Sequence, residues 1–164
     1  METREAIIKT LVLSIINYCS SIWGMANKTQ INQVQKLQNY AAKVAHGGVR
    51  KYDHVTPVLE KLKWLKIGEK VQFDVAFLVF KVLNNYLPQW FYHFNSVSDM
   101  RRANTRQMNN LVIPRNRSNI GGQSFVVKGP TIWNSIPTDI RNCNNAKSFS
   151  KQMKTYILRN RSII

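Results

Sequence analysis

Acidic side chains are scarce in this sequence: eight Asp and Glu stand against 24 Lys and Arg in 164 residues. Glu2, Glu5, Asp53, Glu60, Glu69, Asp74, Asp99 and Asp139 are scattered, with no adjacent pair and no Asp-x-Asp. Two-metal phosphoryl transfer needs carboxylates gathered around the ions, so no catalytic or metal-holding carboxylate group is expected. Cysteine is equally sparse. Cys19 and Cys143 form no CxxC, and His46, His54 and His93 form no HxxxH, so neither a zinc site nor another cofactor is expected. Two distant thiols build no disulfide framework and point to a reducing compartment. Gly47-Gly48 and Gly121-Gly122 lack the GxxxxGK[ST] context and read as turns rather than phosphate loops. A membrane partner is not expected either. The one long apolar stretch, residues 6–23, is interrupted by Lys9, Ser14, Asn17, Ser20 and Ser21 and reads as a core helix. The residues before it are mixed in charge, unlike the basic start of a signal peptide.

What is present is positive charge on a chain able to fold. The hydrophobic fraction of 44% supports a core, and the net charge of +16 favours a polyanionic partner, RNA or DNA. The charge is uneven. Residues 1–99 hold twelve Lys/Arg and seven acids, a net +5, whereas residues 100–164 hold twelve and one, a net +11. A polyanion is therefore held most strongly by the C-terminal part.

Periodicity predicts an α+β chain that is mostly α. A first helix spans 4–23, with Ile8, Leu11, Ile15, Cys19 and Ile22 as its core stripe. A second, capped by Asn27 or Thr29, carries Ile31, Val34, Leu37, Ala41 and Val44 and ends at Gly47-Gly48. Thr56-Pro57 opens a short helix. A central apolar helix over 69–85 bears Phe73, Ala76, Phe77, Phe80 and Leu83, and an aromatic turn from Trp90 to Phe94 comes next. Residues 1–95 thus form a helical region and 96–164 a basic one, packed as one unit. In the second, residues 110–114 and 123–128 read as strands of a small β-hairpin around Gly121-Gly122. A closing helix runs from 148 to 159. On it Phe149, Met153, Tyr156 and Ile157 share an arc of about 100°, and Lys147, Lys151 and Lys154 an opposite arc of about 60°.

Arginines and lysines carry the candidate chemistry, because guanidinium and ammonium groups bind phosphate. Arg101, Arg102 and Arg106 cluster within six residues, and Arg115 and Arg117 lie a little further along. Lys147, Lys151 and Lys154 line the closing helix, and Lys36 and Lys43 lie two turns apart on the second. The ordinary alternative for the lysines is a solvated face. The stretch Gly129-Pro130-Thr131-Ile132-Trp133-Asn134-Ser135-Ile136-Pro137-Thr138-Asp139-Ile140-Arg141 reads as a fold corner. Gly129 allows a turn, Pro130 opens a helical turn, Trp133 is an anchor like Trp23, and Asp139 caps the next segment and pairs with Arg141.

Several of these stretches resemble a family. Tyr18-Cys19-Ser20-Ser21-Ile22-Trp23-Gly24 resembles the Y-C-x-x-x-W-G found after the polymerase core of jockey-like non-LTR retrotransposon reverse transcriptases. Residues 34–43 resemble their LQ-x-x-A-x-(K/R) helix, and residues 57–65 their P-L-x-x-L-x-x-L stretch. Asn104-Thr105-Arg106 matches a recurrent N-T-R, residues 129–141 resemble GP-x-x-W-N-S-L-P-x-x-I-R, and Ser148-Phe149 resembles a closing S-F-K. The resemblance covers almost the whole chain in the family's order. It implies a thumb-like helical bundle over 1–95, and after it a post-polymerase region that grips RNA or primer–template backbone. It also implies an intracellular setting, nuclear or cytoplasmic, and the rest of a reverse transcriptase as a partner. The family's paired catalytic aspartates, its endonuclease and the cysteine-histidine knuckle of some relatives are absent, so the chain alone is expected not to be an enzyme. The competing expectation is a structural module that docks on the polymerase core or an acidic partner.

Overall fold

Backbone hydrogen bonds are satisfied almost entirely within helices. The computed structural model describes residues 2–25, 28–50, 52–88, 94–100 and 109–161, and it is 70% helical with 1% strand and no sheet. Along the described residues run α1 (Glu2–Ile8), α2 (Ser14–Asn17), α3 (Ser20–Trp23), α4 (Lys28–His46), α5 (Thr56–Lys61) and α6 (Ile67–Leu83). Then come α7 (Val97–Met100), α8 (Asn119–Gly122), α9 (Phe125–Ser135), α10 (Thr138–Arg141) and α11 (Ala146–Asn160). Two compact units result, Met1–Val71 and Gln72–Ile164, divided within α6.

In the first unit the expected single helix over 4–23 is broken twice. A π-helical turn, Lys9–Leu13, joins α1 to α2, and Cys19 adopts a left-handed φ of 50° between α2 and α3. The Trp23 indole N–H donates to the Tyr18 carbonyl at 2.7 Å and ties the break together. Each interruption rotates the side chains beyond it. The buried residues are Leu13, Ile16 and Ser20, while most of the expected core stripe faces outward: Leu11, Ile15, Cys19 and Ile22 are exposed. Helix α4 shows a similar shift, with Gln38, Ala41, Ala42 and Ala45 buried and Leu37 and Val44 exposed. Small alanines let α4 approach its neighbours closely, and two glutamines hold the chain at residues 65–67. The Gln38 amide donates to the Leu65 carbonyl at 2.8 Å, and the Ile67 N–H donates to Gln35 Oε1 at 2.7 Å. The Gln35 amide in turn donates to Gln38 Oε1 and Asn39 Oδ1. The Leu-Gln pattern of α4 is thus a clamp on the entry to α6.

The second unit has an aromatic core. Phe149 of α11 is fully buried and stacks on Phe80 of α6 at 4.4 Å between ring centroids, and on Trp133 of α9 at 5.9 Å. Helix α6 ends at Asn85, whose φ of 57° allows the Tyr86 N–H to reach the Lys81 carbonyl and the Tyr86 ring to stack on Phe80. Gly129 has no side chain for a packing reason: a Cβ there would lie 3.2 Å from both Phe94 Cζ and Val79 Cγ2.

The α+β expectation fails in this unit, because no β-hairpin is present. Residues 123–128 open α9, where the Val127 and Lys128 N–H groups both bond to the Ser124 carbonyl. Gly121 and Gly122 end α8, whose cap Ser118 accepts from the Gly121 N–H at 3.0 Å. A short apolar run such as Phe125-Val126-Val127 suits a strand or a buried helix equally, and the serines before it decide the matter. One antiparallel bridge, Ser96 with Leu111, is all the β pairing recorded among the described residues. Gly129 and Pro130, expected at a turn, lie inside α9, with the proline ring buried.

Candidate nucleic-acid interface

The rotation of α11 is fixed at its start and along its length. Asn145 caps it by accepting from the Ser148 N–H at 2.7 Å. Phe149, Met153 and Ile157 are buried, as their spacing predicts. Lys147, Lys151 and Lys154 therefore stand exposed on the other side. The helix contains no Asp or Glu, so no i,i+4 pair neutralises them. Its first turn carries Lys147 where the helix dipole favours an anion. The result is a positive face with no counter-charge on its own element.

A depression of about 490 Å³ borders this face. Lys151, Gln152, Thr155, Tyr156 and Arg159 of α11 line it, together with Ile140 of α10. Lys151 and Arg159 are eight residues apart, about 12 Å along the axis and about 80° around it. Arg159 was not among the candidates, although the projection that grouped the lysines also places it beside Lys151. The arrangement offers two cationic groups, an aromatic ring and side-chain amide donors on one surface.

Two more candidates, Arg115 and Arg117, are exposed on the segment before α8. That segment is held by side chains rather than by a sheet. The Leu111 N–H donates to Asn134 Oδ1 at 2.8 Å, and Asn134 Nδ2 returns a bond to the Leu111 carbonyl at 2.9 Å. Arg141 Nη1 donates to the Asn109 carbonyl and to Asn110 Oδ1, instead of pairing with Asp139 as expected. Burial lowers the Arg141 guanidinium below its ordinary value, and its Nε is buried with no hydrogen-bond partner. Asp139 lies in the first turn of α10, where the cap position belongs to Pro137. Trp133, Asn134 and Arg141 are thus braces, and residues 129–141 a structural corner.

The remaining candidates divide. Lys36 is exposed on α4, in the first unit. Lys43 is engaged: its ammonium donates to the Asp53 carbonyl at 2.6 Å and to the Arg50 carbonyl at 3.3 Å, closing the loop after α4. Arg101, Arg102 and Arg106, and with them the Asn-Thr-Arg stretch, lie outside the described residues, as does most of the aromatic turn from Trp90. Among the described residues no group of three His, Cys, Asp or Glu could hold a metal ion. No helix among them is long and apolar enough to cross a membrane. Comparison with protein-family models, with curated proteins and with solved structures found no match.

Proposed function

We propose that the chain is a non-catalytic nucleic-acid-binding segment, of the kind located after the polymerase core in non-LTR retrotransposon reverse transcriptases, and that it grips RNA or primer–template backbone. The observation that carries this reading is the exposed row of Lys147, Lys151 and Lys154, held outward by a buried aromatic face and free of acids on its helix. Arg159 extends the row along the adjoining depression, and Arg115 and Arg117 add guanidinium groups in the same unit. Such groups release counterions when they meet phosphates, so binding is strongly salt-dependent. The test is fluorescence anisotropy with single-stranded RNA and with an RNA–DNA duplex. Affinity falls steeply between about 50 and 200 mM salt if several phosphates are contacted. No binding at the lower salt would refute the reading. Primer extension by the purified chain with Mg²⁺ would refute its non-catalytic part.

A further inference from the structure

A second surface has the opposite character. Ile7, Leu11, Ile15, Tyr18 and Ile22 succeed one another along α1 to α3 at spacings of three or four, with exposures between 49% and 77%. Side chains this large at these exposures present on the order of 600 Å², the upper end of an ordinary monomer's largest apolar patch and near the about 800 Å² per partner of a standard interface. The surface is also neutral. Between Ala6 and Trp23 the single charge is Lys9. Its ammonium lies 2.7 Å from Glu5 Oε1. The π-helical turn Lys9–Leu13 sits within this run, and such turns recur at functional positions.

We infer that this face is a self-association surface whose occupant is a second copy of the chain. An occupant must present an uncharged aliphatic ridge, and among the described residues this run is itself the longest one. Leu37, Tyr40 and Val44 make a shorter row on α4, and Tyr52, Leu83, Tyr86, Ile113 and Ile120 are scattered. The chain therefore carries its own complement, and a two-fold axis sets such a patch against itself. Ile7, Leu11 and Ile15 form an i, i+4, i+8 ridge, which interlocks with its like when helices cross at about −50°. An acidic partner gains nothing at this face, because its only cation is already paired. Two copies at +16 repel each other elsewhere. Salt therefore strengthens their association by screening that repulsion, whereas it weakens a contact to phosphate.

Sedimentation velocity on the whole chain, free of nucleic acid, tests this inference independently of the nucleic-acid reading. The mass rises from 19.0 kDa to twice that value with concentration. The dissociation constant is on the order of 10 µM and is lower at about 0.5 M than at about 0.1 M salt. Ile15→Glu and Ile22→Glu each weaken association about tenfold or more, with unchanged helical circular dichroism. Should either variant lose helix, hydrogen exchange of the unmodified chain at low and high concentration decides, with protection confined to residues 6–23 expected. Any of three results overturns the inference: a monomer at about 100 µM, a dimer indifferent to both substitutions, or a monomer that floats with phosphatidylcholine vesicles.

Discussion

The run α1 to α3 and the helix α11 carry similar apolar spacings and resolve them in opposite ways. In α11 the stripe Phe149, Met153, Ile157 is buried and the lysines face out. In the N-terminal run, four of the five residues marked by the same spacing face out, and Leu13, Ile16 and Ser20 take their place inside. The difference lies in what surrounds each stripe. Lysines exclude one side of α11 from any core, so its apolar residues have one way to turn. Around Ile7, Ile8, Leu11, Val12, Leu13, Ile15 and Ile16 every side is apolar, and a helix apolar all round gives periodicity no means of choosing a face.

Truncation on the two stripes sharpens the contrast most. Phe149→Ala removes a ring stacked on Phe80 and Trp133. It is expected to cost about 3–5 kcal/mol in denaturant titration. Ile15→Ala, at an exposed position, is expected to stay within about 0.5 kcal/mol under monomeric conditions. Equal losses would mean that the two stripes do not differ in burial. On the polar side, replacing Lys147, Lys151 and Lys154 together by Gln should weaken RNA binding about 10- to 100-fold near 100 mM salt and flatten its salt dependence, with melting temperature unchanged. An unaltered salt slope would assign the phosphate contacts to other residues.

Asn134→Ala is the next smaller perturbation. It deprives the Leu111 backbone of both partners and should cost about 1–3 kcal/mol. The Leu111 amide should become the most accelerated in hydrogen exchange, and uniform acceleration across the unit would argue against a local clamp. The smallest effect belongs to Glu5. Its hydrogen bond to Lys9 is the main cause that holds its carboxyl below the ordinary value, with the Lys9 charge adding to it. A depressed folded pKa means that stability is present above the ordinary carboxylate range and is lost as pH falls through the depressed value. Glu5→Gln should remove that acid dependence while barely moving the melting temperature near neutrality, because the pair is largely solvated.

Much of the helical framework was legible in the sequence, because caps and breakers mark it: Thr56-Pro57 at α5, Gly47-Gly48 after α4, and the charged side of α11. The breaks near residues 9–13 and 19 were not, since a π turn and a left-handed cysteine leave no residue-type signature. The hairpin expected around Gly121-Gly122 is absent because two glycines between apolar runs fit a capped helical turn as readily as a hairpin turn. The braces escaped for a different reason. Gln38 and Asn134 find their partners 27 and 23 residues away, a relation that no local pattern encodes. Of the candidate interface, the lysines of α11 were readable from helical projection alone. Lys43 was readable as a cation but not as a loop closure, because its acceptors are backbone carbonyls.

The pair of bonds between Asn134 and Leu111 also sets a tether length. Arg115 and Arg117 lie four and six residues beyond Leu111, so their backbones can travel no farther than about 14 and 21 Å from that post. Ser118, capping α8, pins the segment again just beyond them. Two guanidinium groups confined to so small a volume meet a phosphate already held by this unit at a high effective concentration, where free in solution they would have to find it by diffusion.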